Sequence, residues 1–186
     1  MKSYKGIKGN QMLNTYKVEI KPTAKQTWLI DSHISGSCLA YNLFLDINKQ
    51  RYEQDYYYLD AYAFNEWFNH EYLEANPDDM WIKNLYDKSV KQAFIDADVV
   101  MKRFFNKQSV FPHWRSFKYG QGSYYFVKNS KTSIISCQHH RIELPKLGWV
   151  CLKEVGCIST NADYFVIKQG WIKFQAGRYY LTCLVE

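Results

Sequence analysis

One strand-like segment stands apart from all the others in this chain. Tyr16-Lys17-Val18-Glu19-Ile20-Lys21 alternates apolar and polar residues with a period of two. Pro22 ends it, and Thr23 with Gln26 three residues on has the spacing of a capping box, which predicts a helix start. Helical periodicity then runs to Phe111-Pro112, and short alternating runs resume only from about Tyr124. A half-apolar strand needs partners to cover its apolar face. Its partners are the distant C-terminal strands, including Trp171-Ile172-Lys173-Phe174 and Tyr179 to Glu186. The pattern therefore predicts an α+β fold, a helical block inserted into an antiparallel β-barrel.

Within the block, Leu29, Ile30, Ile34 and Cys38 have helical spacing. Gly36 predicts a break before a second helical run, Leu39 to Tyr52. Ala61 to Ala75 reads as a helix with an aromatic stripe of Phe64, Trp67, Phe68 and Tyr72, and Asn76-Pro77-Asp78-Asp79 as a turn and cap. Ser89 to Phe105 is the clearest helix, with Val90, Phe94, Ala97, Met101 and Phe104 on its apolar face and Lys102 and Arg103 at its C-terminal end. The expected organisation is a flexible basic leader (1–13), a β unit (14–22 and 120–186) and a helical insertion (23–119).

Charge is unevenly placed along the 186 residues, whose net charge is +6. Residues 19–79 hold eleven acids against four bases, whereas residues 101–154 hold ten bases against two acids. Such a basic block suits a polyanion, since each phosphate neutralised releases counterions. Aromatics make up 18% of the chain, enough to supply both a core and stacking faces for bases. The five cysteines are odd in number and contain no Cys-x-x-Cys pair, which fits a reducing cytoplasm. Met1 to Gln11 has no apolar core, and no run of about 18 apolar residues occurs, so no secretion and no membrane partner are expected.

The enzyme motifs that sequence can reveal are missing. There is no P-loop, no Gly-x-Ser-x-Gly and no Gly-x-Gly-x-x-Gly, and no cofactor is expected. Asp96 and Asp98, two apart on a helix, face different ways and make no acid pair. Cys137 with His139-His140 is the nearest approach to a metal cluster but lacks zinc spacing, and a polar turn is the favoured reading. Binding residues are better represented. Lys88 and Gln92 share a helical face. Lys can reach phosphate or base acceptors, and Gln can pair with an adenine edge. Arg115, Lys118, Tyr119, Tyr124, Tyr125, Lys128 and Asn129 interleave cations, rings and an amide, a composition suited to backbone neutralisation plus stacking. Alternation allows only one of Tyr124 and Tyr125 to be exposed.

Four blocks together resemble a known family. They are Tyr16 to Gln26, Tyr41-Asn42-Leu43-Phe44-Leu45, Lys88 to Arg115 with its Phe104-Phe105 and Phe111-Pro112-His113-Trp114-Arg115, and Leu144-Pro145-Lys146-Leu147-Gly148-Trp149-Val150 followed by Gly177-Arg178-Tyr179-Tyr180. In order and spacing they are similar to the N-terminal part of TnpB (OrfB), the RNA-guided nuclease of insertion sequences, and of related compact type V CRISPR nucleases. The likeness spans about residues 14–186. It implies an OB-like wedge barrel and a helical recognition lobe that together grip guide-type structured RNA and read a short motif in duplex DNA beside the target. It also implies contacts from Lys17, Lys21, Gln26, Tyr41, Asn42, Lys88, Gln92, Arg103, Lys107, Arg115, Lys118, Tyr124, Lys128, Asn129, Lys146 and Trp149, with Trp149 equally open to a core role. The family's nuclease domain, with its metal-binding carboxylates and zinc-binding segment, has no counterpart among these 186 residues. The chain is therefore expected to bind without cutting, alone or with a nuclease-bearing partner chain. Two rival readings stay open. One is a protein-interaction module using residues 52–81. The other is an autonomous helix-turn-helix DNA-binding protein built on residues 23–52.

Overall fold

The computed structural model describes residues 14–128, 135–158 and 166–185, so the expected basic leader lies outside the described residues. Strand β1 (Asn14–Lys21) leads into helix α1 (Ala24–Glu53) through Pro22 and Thr23. Thr23 caps α1 as expected: its backbone N–H donates to Gln26 Oε1 at 3.0 Å, and Gln26 N–H donates to Thr23 Oγ1 at 3.3 Å. Helix α2 (Ala61–Trp67) continues through a π-helical turn, Phe68–Tyr72, into the short α3 (Leu73–Ala75). A 3-10 run, Pro77–Asn84, then leads to α4 (Asp87–Phe105). The strands follow: β2 (Tyr124–Val127), β3 (Cys137–Gln138), β4 (Arg141–Leu144), β5 (Gly148–Leu152), β6 (Ile167–Gln175) and β7 (Arg178–Val185).

All seven strands join one antiparallel sheet in the order β2-β6-β7-β1-β5-β4-β3. The isolated first strand thus sits at the centre, paired with β7 over seven positions and with β5 at Ile20 and Lys21. β6 and β7 form a hairpin whose two-residue loop, Ala176 and Gly177, has φ of 49° and 76°. Both values are positive, as the turn that matches strand twist requires.

The α+β class holds, but the expected OB-like β-barrel is not confirmed, because the sheet is not closed among the described residues. Among the described residues β2 and β3 are the two edges, and no ladder joins them. The sheet instead curls. The Tyr124 hydroxyl on edge strand β2 donates to the Pro145 carbonyl in the β4–β5 turn, on the far side of the strand order. Inward side chains of β1, β2, β4, β5, β6 and β7 share one apolar cluster.

The expected break at Gly36 is also absent: α1 runs uninterrupted from Ala24 to Glu53. The glycine serves close packing instead of a turn. A Cβ there would lie 2.2 Å from Leu85 Cδ1 and 3.5 Å from the Trp81 ring. The unbroken helix belongs to two cores. Its first half gives Ile30 and Ile34 to the sheet's cluster. Its second half gives Ala40, Tyr41, Phe44 and Leu45 to a second cluster with α2 and α4. Phe44, Phe64, Phe68 and Phe94 are fully buried there, with ring centroids 4.7 Å (Phe44–Phe64) and 5.0 Å (Phe64–Phe94) apart. Each such burial stabilises by roughly 1.5–3 kcal/mol.

Candidate nucleic-acid interface

Strand alternation gives the curled sheet two different faces. Pairing aligns Val18, Leu181, Ile172 and Tyr124 across four strands, and all four are buried. The neighbouring row, Lys17, Thr182, Trp171 and Tyr125, lies on the opposite face, as does the next, Glu19, Tyr180 and Lys173. The outer face therefore carries amines and rings in the order the strands impose.

A groove of about 320 Å³ lies over this face. Its floor is Lys17, Trp171, Lys173, Gln175, Tyr180 and Thr182, and its wall is Gln121, Ser123, Arg115 and Asp96. Lys17 Nζ donates to Gln175 Oε1 at 3.3 Å and stands 4.9 Å from the Tyr180 ring centroid. The Trp171 and Tyr125 rings pack with centroids 5.6 Å apart, and the Tyr125 hydroxyl donates to Gln169 Oε1 at 2.9 Å.

Arg115 is the most constrained cation in the groove. Asn42 on α1 clamps its backbone, with Nδ2 donating to Arg115 O at 2.8 Å and Oδ1 accepting from Arg115 N at 2.7 Å. The guanidinium lies 3.8 Å from the centroid of Tyr41. Its Nη1 is 3.4 Å from Asp96 Oδ2, while Asp96 Oδ1 accepts from Gln92 Nε2 at 2.9 Å. Burial pushes the Tyr41 phenol pKa up, and the nearby Arg115 charge opposes that shift.

Beyond the groove the face is mixed. Glu19 receives Lys153 at 2.7 Å and Arg178 at 3.4 Å. The hydrogen bond from Lys153 leads in holding the Glu19 carboxyl below its usual range. On β5 and β4, Trp149 is half-buried on this outer face, with Arg141 stacked 4.6 Å from its centroid. Trp149 is thus no core residue.

The sixteen sequence-derived candidates divide accordingly. Lys17 and Arg115 meet in the groove, and Lys21 and Trp149 lie on the same outer face. Tyr41, Asn42 and Gln92 stand behind Arg115, directly or through Asp96. Gln26 is an internal strut: beyond its cap it donates from Nε2 to Leu147 O at 3.1 Å and Trp149 O at 2.8 Å. Tyr124 is corrected outright, because it is fully buried with its hydroxyl spent on Pro145. Lys88 is half-buried in the first turn of α4, one turn before Gln92. Arg103 and Lys107 are exposed at the far end of α4, Arg103 about 10 Å along the axis from Asp96. Lys118 is exposed on a 3-10 turn (Phe117–Tyr119), Lys128 is half-buried after β2, and Lys146 is exposed in the β4–β5 turn with φ of 64°. Asn129 lies outside the described residues. Sequence reasoning missed Trp171, Lys173, Gln175 and Tyr180. The alternation Trp171-Ile172-Lys173-Phe174-Gln175 carried the signal, since it puts three of them on one face.

Among the described residues no group of three or more His, Cys, Asp or Glu side chains is placed to hold a metal ion, and no helix is long and apolar enough to cross a membrane. Fold and groove together define an α+β module whose curled sheet presents a cationic, aromatic outer face. Residues 12–56 match the family model HTH_OrfB_IS605, described as a helix-turn-helix domain. The match supports the likeness of the N-terminal region to OrfB of IS605-type elements. Here that segment is built as β1 followed by one helix, without an internal turn between Ala24 and Glu53. No curated protein matches the chain.

Proposed function

We propose that this chain is the nucleic-acid-binding module of a TnpB-like, RNA-guided system, with the sheet as its wedge and the helices as its recognition lobe. The observation that carries the reading is the groove, where Lys17, Lys173 and Arg115 converge over Trp171 and Tyr180 beside the segment that matches OrfB. Cations neutralise a phosphate backbone, and flat rings take unstacked bases, which is how structured RNA with splayed nucleotides is held. The chain's role in this reading is binding of guide-type RNA, and of duplex DNA at a short motif. Metal-dependent cleavage is not among the roles proposed for it.

The test is an electrophoretic or anisotropy titration of a structured RNA hairpin and a duplex of the same length. Tighter binding of RNA, weakened by Lys17→Ala/Lys173→Ala, supports the reading. Absence of any binding to either at low salt would sink it.

One observation favours a second reading, a protein-interaction module. Tyr52, Tyr56 and Tyr57 are exposed beside Phe105, and Tyr57 is 91% exposed. Self-association that persists at high salt and after nuclease treatment would favour that reading over the first. The autonomous helix-turn-helix reading is weaker, because the turn it needs within residues 24–53 is absent.

A further inference from the structure

Asp96 is the one acid among the described residues lining the groove, and it faces three cations there. In a groove for polyanions a carboxylate repels the ligand, so its placement needs a reason. The geometry around it supplies one. Asp96 contacts Arg115 through a single Nη1–Oδ2 approach of 3.4 Å, with both side chains about one-third exposed. Such a pair is weak in itself. The Arg115 backbone is nevertheless fixed by the two Asn42 hydrogen bonds, and one face of the guanidinium is fixed by Tyr41. Asp96 supplies a further constraint, on rotation of the fork over the Tyr41 ring. Gln92 in turn fixes Asp96, one helical turn away on α4.

We propose that Asp96 is a positioning residue: it holds the Arg115 fork aimed in the free protein and yields it to a phosphodiester of the bound nucleic acid. This inference rests on the nucleic-acid reading above. A guanidinium meets a phosphate through two parallel N–H···O bonds, which exceed the single long contact it gives up. Removing the acid then has two opposed effects. It relieves repulsion for any polyanion, and it frees the fork for wrong orientations, which matters only to a ligand with fixed phosphate geometry.

The experiment measures binding of the full chain to a structured RNA hairpin and to heparin, a flexible polyanion, for wild type, Asp96→Asn, Arg115→Lys and the double variant. Asp96→Asn keeps the side chain's shape, and the measurement is read alongside a thermal melt that reports folding. Expected is a rise in heparin affinity of about two- to fivefold. RNA affinity should instead fall by about two- to twelvefold, the worth of one positioned hydrogen bond. In the Arg115→Lys background, where no fork remains to aim, Asp96→Asn should raise both affinities together. An equal rise for RNA and heparin in the Arg115 protein would overturn the proposal, leaving Asp96 a plain like charge. So would an RNA loss that survives in the Arg115→Lys background. Wild-type protein that binds heparin but neither this hairpin nor the duplex of the titration above would remove the parent reading, and this proposal with it.

Discussion

His33 is almost fully buried in α1 with both ring nitrogens committed. Nδ1 lies 2.6 Å from the Leu29 carbonyl and Nε2 accepts from the Tyr86 N–H at 3.0 Å. Only the neutral ring, protonated at Nδ1, can fill both roles. Burial is the main cause of its lowered pKa; the Leu29 bond opposes the shift, and the Lys146 charge adds to it. The unfolded imidazole titrates at about 6.5, so below that pH the unfolded chain binds more protons than the folded one. His33 thus contributes stability that is complete above about pH 6.5 and is lost as pH falls through the folded value. Urea unfolding across this range should show His33→Gln with a flatter pH dependence than wild type; parallel curves would refute the assignment. At Asn42 the expected loss concerns position. Asn42→Ala removes both bonds to Arg115 and should cost about 1–3 kcal/mol in the same unfolding measurement. RNA affinity should fall as well, although Asn42 carries no charge. The family resemblance marked Asn42 as a ligand contact, because a matching motif cannot tell a side chain that touches the ligand from one that holds the residue that does.

At the scale of elements, β6 shows what alternation reveals and what it conceals. Its period of two marks Trp171, Lys173 and Gln175 as one face from sequence alone. It does not show why Gly170 stands in the row of Tyr16, Cys183 and Phe126. In the structure a Cβ at Gly170 would lie 2.4 Å from the Thr182 carbonyl oxygen and 2.4 Å from Phe126 Cζ. The first is backbone of the adjoining strand, and the second is a fully buried ring. Neither can retreat, so Gly170→Ala should destabilise by at least about 2 kcal/mol, read by thermal or urea unfolding. A variant within 0.5 kcal/mol of wild type, the usual scatter of surface changes, would contradict this packing. Gly36 misleads in the opposite direction. A glycine after a helical run reads as a stop, yet the need at that position is room for Leu85, a tertiary contact that local pattern cannot carry. The capping box at Thr23 and the start of β2 at Tyr124 were legible because each depends on neighbours in sequence. Sheet order and the open edges were not, since they depend on pairing between distant segments.

Across the whole molecule, α1 ties the sheet to the helical block by lending its two halves to two cores. The wall of the groove, Asp96 and Arg115, is thereby held against its floor on β1, β6 and β7. Charge is divided less simply than along the sequence. Among the described residues of the basic run 101–154, Lys102 and Arg103 lie at the end of α4, Arg115 in the groove, and Arg141, Lys146 and Lys153 around β4 and β5, while the groove draws Lys17 and Lys173 from outside that run. Net charge is thus a poor guide to which cations meet phosphate, and salt dependence is a better one. Each Lys that contacts a phosphate adds about 0.7 to the slope of log affinity against log salt for single strands and about 0.9 for duplex. Lys17→Ala and Lys173→Ala should each lower the slope by about that amount. Arg103→Ala, at the far end of α4, should leave it unchanged if the groove is the main track. A slope that falls equally for all three would spread the interface along α4 and away from the groove. Tyr52→Ser/Tyr57→Ser separates the rival reading within the same titrations. These exposed rings add no charge, so their loss leaves the slope intact whichever surface binds RNA. If they hold a protein partner instead, their removal abolishes a self-association that salt does not touch, and the lysine variants leave that association unaltered.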